Sequence, residues 1–162
     1  LKHYDERVAV IQKAMNYFWD ELEGVPGIKA HRPPAESGST MGGWYAAKGL
    51  YVAEELGGLP VARFCEAVNA EGGAFGLRSG ANPLMHLHAV LNEADIYGDG
   101  KPTRIAFSDR DLRQGIGSLP VTETLPERCL SIPWFKHYRP EVIDAYVAAI
   151  RKVAHRADEL GA

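Results

Sequence analysis

The stretch RCLSIPWFKHYRPEVIDAYVAAIRKV, residues 128–153, decides the fold class. Arg128 to Ile132 reads as a short strand that Pro133 halts, because proline has no N–H to give to a sheet ladder. Trp134, Phe135 and Tyr138 follow beside Lys136 and His137, and read as the anchor that docks the next element, with the two basic residues left for recognition. Pro140 then opens a helix in which Ile143, Tyr146, Val147, Ile150, Val153 and, just beyond the stretch, Ala157 keep helical spacing.

The other end of the chain carries a matching element. Across residues 4–23, Val8, Ile11, Met15, Phe18 and Leu22 recur at steps of three and four and line one stripe of a helix. Burying five such side chains, at ~1.5–3 kcal/mol each, is worth about 10 kcal/mol before entropy, so the stripe needs a partner surface. Gly24, Pro26 and Gly27 end the helix. Residues 31–43, rich in proline, glycine and hydroxyl side chains, read as a surface loop. Residues 44–52 are aromatic-rich and short enough for a strand, although Ala46 to Gly49 weakens the propensity. A second helix opens at Leu59-Pro60, runs through Phe64, Cys65 and Val68, and stops at Gly72-Gly73. Further on, the pattern predicts an extended run over residues 84–91, a turn at residues 97–100 and a short helix over residues 109–114. Long helices at both ends of several short extended segments predict one α+β domain, a small antiparallel or mixed sheet covered on one face by helices.

Composition narrows the function classes. Net charge is −3, and the 18 basic residues are scattered rather than gathered in a stripe, which argues against nucleic acid as a partner. Cys65 and Cys129 are too few for a disulfide framework and sit in hydrophobic patterns, so a reducing, cytoplasmic location is expected. No apolar run has membrane-spanning length, no charged-then-apolar leader is visible and no Asn-x-Ser/Thr site occurs. The chain opens at Leu1, not Met, and enters a helix almost at once, which reads as the start of a piece of a longer protein.

His86-Leu87-His88 is the sharpest local constellation. On a strand, residues two apart project from one face, where two imidazoles can grip an anionic or hydroxylated ligand or make ordinary hydrogen bonds. Two such imidazoles can also be part of a metal site, but alone they do not complete one: structural zinc needs four ligands and catalytic zinc three, and although Glu93 or Asp95 can supply oxygen, nothing fixes their positions. Asp95, Tyr97, Asp99 and Gly100 resemble a calcium loop until its twelfth position, where Ala106 replaces the required glutamate. No nucleophile elbow, phosphate loop or dinucleotide fingerprint appears. Of seven lysines only Lys48 falls in a predicted strand, and none has the surroundings of an activated amine.

In order along the chain, a series of motifs resembles the C-terminal domain of the DegT/StrS family of pyridoxal-phosphate-dependent sugar aminotransferases. SLPVTETLPERCLSIPWFKHY, residues 118–138, resembles that family's closing segment, and residues 141–153 its terminal helix. The run from Arg7 to Leu22, followed by Gly27-Ile28, is similar to the opening helix and turn. FCEAVNAEGG, residues 64–73, is similar to the helix and glycine stop before the family's Pro-Leu-His segment. That segment reads Asn82-Pro83-Leu84-Met85-His86-Leu87-His88 here, and with one extra residue after Pro83-Leu84, either His86 or His88 takes the histidine position.

The resemblance implies the small domain of the aspartate-aminotransferase type, fold type I, resting on a large domain that supplies the Schiff-base lysine and the carboxylate facing the pyridine nitrogen. It implies an intact homodimeric enzyme that uses pyridoxal phosphate to move an amino group from glutamate or glutamine to a keto sugar, often nucleotide-linked, or to a cyclic ketone. No catalytic residue, bound cofactor or metal is then expected in this chain alone. Trp44 and Tyr45 would present an aromatic edge to substrate, and His86, His88 and Arg78 would hydrogen-bond its hydroxyls or a phosphate. The competing expectations are a standalone binding or regulatory module and a pyridoxal-phosphate-dependent sugar dehydratase relative.

Overall fold

The structure, a computed structural model, describes residues 1–72 and 76–161. The predicted opening helix is α1 (Tyr4–Glu21), with Asp5 and Glu6 in its first turn where acidic side chains complement the helix dipole. It stops two residues before the predicted Glu23, and Gly24 takes the left-handed turn at φ 76°. Met15, Phe18 and Leu22 of the predicted stripe are buried, and Ala14 and Trp19 widen it. The second helix is α2 (Val61–Gly72); the predicted stop at Gly72-Gly73 lies partly outside the described residues. The last long helix is α6 (Pro140–His155), with Pro140 in its first turn.

Among the described residues, four short strands form one antiparallel sheet: β1 (Ile28–Ala30), β2 (Lys48–Tyr51), β3 (Arg78–Ser79) and β4 (Cys129–Ser131), in the order β1-β2-β4-β3. β1 and β3 are too short to leave a periodic signature and are absent from the sequence reading. β2 is the shorter core of the predicted strand over residues 44–52, and β4 lies within the strand predicted before Pro133. Lys48 faces Ser131 across β2 and β4, Leu50 faces Cys129, and Arg78 of β3 also faces Ser131. Period-two alternation sends Gly49, Tyr51 and Leu130 to a buried face while Lys48, Leu50, Cys129 and Ser131 remain half-buried on the other.

Behind the buried face one core gathers Met15, Phe18 and Trp19 of α1, Phe64 and Val68 of α2, and Ile143, Val147 and Ile150 of α6. Phe135 meets the rings of Phe18 and Tyr146, so the aromatic corner after Pro133 does anchor the terminal helix. Gly49 is small for a steric reason: a Cβ there would lie 2.7 Å from the Trp19 ring. The fold is therefore α+β, with a small antiparallel sheet backed by helices.

The contacts divide the chain into two compact units, one of Leu1–Gly80 with Glu127–Ala162 and one of Ala81–Pro126, a subdivision absent from the sequence reading. The second unit holds α3 (Ala89–Asn92), α4 (Pro120–Glu123) and the start of α5 (Leu125–Arg128). The extended run predicted over residues 84–91 is instead a tight 3-10 turn, Met85–Leu87, leading into α3. Local hydrogen bonds win there: Leu87 N–H and His88 N–H turn back to Leu84 and Met85, and the Asn92 amide donates to the carbonyls of His86 and His88. The helix predicted over residues 109–114 does not form. Asp111 there turns onto its own neighbour, accepting from the N–H and guanidinium of Arg113.

Candidate functional site

In the first unit, a cleft of about 560 Å³ opens between α1 and the loop over residues 31–43. Gln12, Asn16 and Asp20, spaced by one helical turn each, supply one wall, and Arg32, Ser39, Thr40, Met41 and Trp44 line the other. Arg32 ties the two walls together. Its guanidinium lies 2.7 Å from Asp20 and donates to the Asn16 side chain at 3.3 Å. Sequence reasoning missed Arg32, because a single basic residue in a Pro-rich loop has no pattern that marks it.

Trp44 and Tyr45 occupy opposite environments. Trp44 is 1% exposed and adopts φ 54°, a left-handed conformation that a bulky residue holds only when its surroundings over-determine it. Its N–H donates to Met41, its ring belongs to the core, and its indole Nε1 has no hydrogen-bond partner among the described residues. Tyr45 is 98% exposed. The expected aromatic edge is thus one fixed, buried indole at the cleft wall and one free phenol, and of the two the phenol is the exposed side chain.

Arg78 sits exposed on β3, directly opposite Ser131. Ser131 Oγ accepts a hydrogen bond from Lys48 Nζ at 2.8 Å. Among the described residues neither Lys48 nor Arg78 has a carboxylate partner.

His86 and His88 lie in the second unit, and the shared strand face on which they were paired does not exist there. His86 is 5% exposed, with Nε2 3.0 Å from Oε1 of Glu123. Glu123 also accepts the N–H groups of Gly117 and Leu119, at 2.8 and 3.0 Å. These amides, more than His86, hold the Glu123 carboxyl below its ordinary value. His88 turns the other way: its Nδ1 accepts the Val90 N–H and caps α3. Each imidazole therefore spends one nitrogen on the architecture of its own loop.

The calcium-like turn is also explained locally. Asp95 accepts the N–H groups of Gly98, Asp99 and Gly100, which fold the turn around one carboxylate and keep its pKa low. Among the described residues no cluster of three or more His, Cys, Asp or Glu side chains is placed to hold a metal, and no helix is long and apolar enough to cross a membrane.

The second unit shows a different kind of surface. His86 and Ala106 are its only buried residues among those described, whereas Met85, Ile96, Phe107, Ile116 and Val121 are exposed, Phe107 and Ile116 to 87% and 89%. Against known proteins, the chain matches no family model and no curated protein.

Proposed function

We propose that this chain is the closing domain of a pyridoxal-phosphate-dependent aminotransferase of the DegT/StrS kind. Its role is to cover one wall of a substrate cleft whose cofactor is held by a separate large domain. The observation that carries this reading is the second unit's apolar surface, which a self-sufficient module would bury and a domain seated against another part of an enzyme would not. The antiparallel sheet backed by helices is compatible with the small domain of fold type I, and the family itself rests on the resemblance of the ordered motif series.

The residues described do not fit pyridoxal phosphate themselves. Schiff-base chemistry needs an enclosed lysine whose amine is neutral for attack. Lys29 and Lys152 are held by Glu55 and Glu71, at 2.7 and 2.5 Å. Lys13 and Lys136 lie over the rings of Tyr138 and Trp134. Lys48 donates to Ser131, and Lys2 and Lys101 are exposed. No cofactor step runs through these residues.

On this reading the transferred amino group comes from glutamate or glutamine and goes to a keto sugar or related cyclic ketone, at the interface of a homodimer. Tyr45 is the aromatic group free to meet that substrate, and Trp44 fixes its position. Incubation with pyridoxal phosphate, borohydride reduction and peptide mapping tests the assignment. No lysine of the 162-residue chain forms a stoichiometric adduct; a stoichiometric adduct on any of its seven lysines overturns the reading.

A further inference from the structure

We propose that the row Lys48, Ser131 and Arg78 on the open face of the sheet is a binding site for a phosphate group. The three residues come from adjacent strands β2, β4 and β3, and the register sets Ser131 directly opposite both basic residues. Residues directly opposite on neighbouring strands project from the same face, so three side chains of different donor chemistry stand in a line across the sheet. With strands ~4.8 Å apart, the outer two Cα atoms are about 10 Å from each other, a span that two long basic side chains and one phosphate fill.

The donor inventory identifies the missing partner. Lys48 Nζ spends one hydrogen on Ser131 Oγ, 2.8 Å away, and keeps the others. Because the Ser131 oxygen accepts from lysine, its own O–H is free to donate. Arg78 presents its whole guanidinium fork, which matches the geometry of phosphate oxygens. Neither cation is neutralised by a carboxylate among the described residues. On the same face the next row is Lys29, Leu50 and Cys129, and the acid beside Lys29, Glu55, is engaged with that amine and with the Gly27 N–H. Ser131 is half-buried between the two cations, so an anion there is partly withdrawn from water and less screened than one on an open surface. Donors from three adjacent strands stand on one face, and beyond the Lys48–Ser131 bond no protein acceptor among the described residues takes them up; an oxyanion with several acceptor atoms does.

The site stands on the sheet alone and does not depend on the aminotransferase reading. Its test is a calorimetric titration of the 162-residue chain with inorganic phosphate at fixed ionic strength, with acetate as the monovalent comparison and amide NMR shifts locating the site. One saturable phosphate site is expected, with shifts centred on Lys48, Arg78 and Ser131 and with acetate at least about tenfold weaker. Lys48→Gln and Arg78→Gln each weaken phosphate by about tenfold or more, while Arg63→Gln, which removes an α2 cation already paired with Glu66, changes nothing. Arg78 is exposed, so its variant keeps the fold and stays informative even if Lys48→Gln loosens β2. Unchanged phosphate affinity in Arg78→Gln, acetate binding as tightly as phosphate, or no saturable site overturns the proposal. Each of these failures leaves the lysine-trapping outcome untouched.

Discussion

The imidazole Nε2 of His86 lies 3.0 Å from Oε1 of Glu123, thirty-seven residues along the chain, and joins the two ends of the second unit through one carboxylate. The same carboxylate holds the N–H groups of Gly117 and Leu119. In a unit with almost no apolar core, this polar junction takes the organising role that packing takes in the first.

Acid should undo that junction before it undoes the core. Glu123 is held below its unfolded value, so its contribution is complete above the unfolded carboxylate pKa of about 4.3 and is lost as the pH falls through the lowered native value. Hydrogen exchange at Gly117 and Leu119 is expected to quicken in that range while amides of α6 stay protected. Glu123→Gln is expected to speed exchange at both amides by about tenfold at neutral pH. Unchanged exchange in the variant would remove Glu123 from this role.

Trp44 and Tyr45 should separate stability from substrate contact. Trp44→Ala empties a fully buried indole site and is expected to cost about 3–5 kcal/mol in denaturant unfolding. Tyr45→Ala is expected to stay within about 0.5 kcal/mol of the parent, because the side chain touches almost nothing. On the proposed aminotransferase reading, Tyr45→Ala in the assembled enzyme should raise KM for the keto substrate with little change in kcat. Equal kinetics for parent and variant would remove Tyr45 from the cleft.

Gly49 tests how tightly the sheet meets α1. An added methyl would approach the Trp19 ring to 2.7 Å, and Trp19 is itself buried. Gly49→Ala is expected to destabilise the first unit by about 1–3 kcal/mol through overpacking. A neutral result would mean that the ring has room to withdraw.

Tyr17 offers a spectroscopic check on the packing of α1 against α6. Its hydroxyl donates to Asp144 at 2.8 Å, and that bond, followed by desolvation and the aspartate's charge, pushes the phenol up to about 12. Ultraviolet titration should show a tyrosine ionising there, and Asp144→Asn should bring it back toward 10, its ordinary value. A parent curve lacking that late step would contradict the contact.

The legibility of the sequence followed the physics of each region. α1, α2 and α6 were readable because packing against one core imposes a 3.6-residue period on Met15, Phe18, Phe64, Ile143 and Ile150. β1 and β3 were not, since a strand of two or three residues has no period to detect. The second unit is built from side-chain bonds to nearby backbone, from Asp95, His88, Asn92 and Glu123, and such bonds follow no hydrophobic rhythm. That is why residues 84–91 read as extended, and why two histidines expected to share a face serve separate loops. The charged row across β2, β4 and β3 was unreadable for a further reason: strand order, not sequence distance, makes Lys48, Arg78 and Ser131 neighbours.

The most direct measurement of the central claim is amino transfer from glutamate or glutamine to a keto sugar, followed by mass spectrometry of the aminated product. It is made with the chain joined to the cofactor-binding domain that the proposed reading requires and with the chain alone, pyridoxal phosphate being present in both. Product is expected from the joined protein and none from the chain alone. Product from the chain alone, or from neither, would contradict that claim.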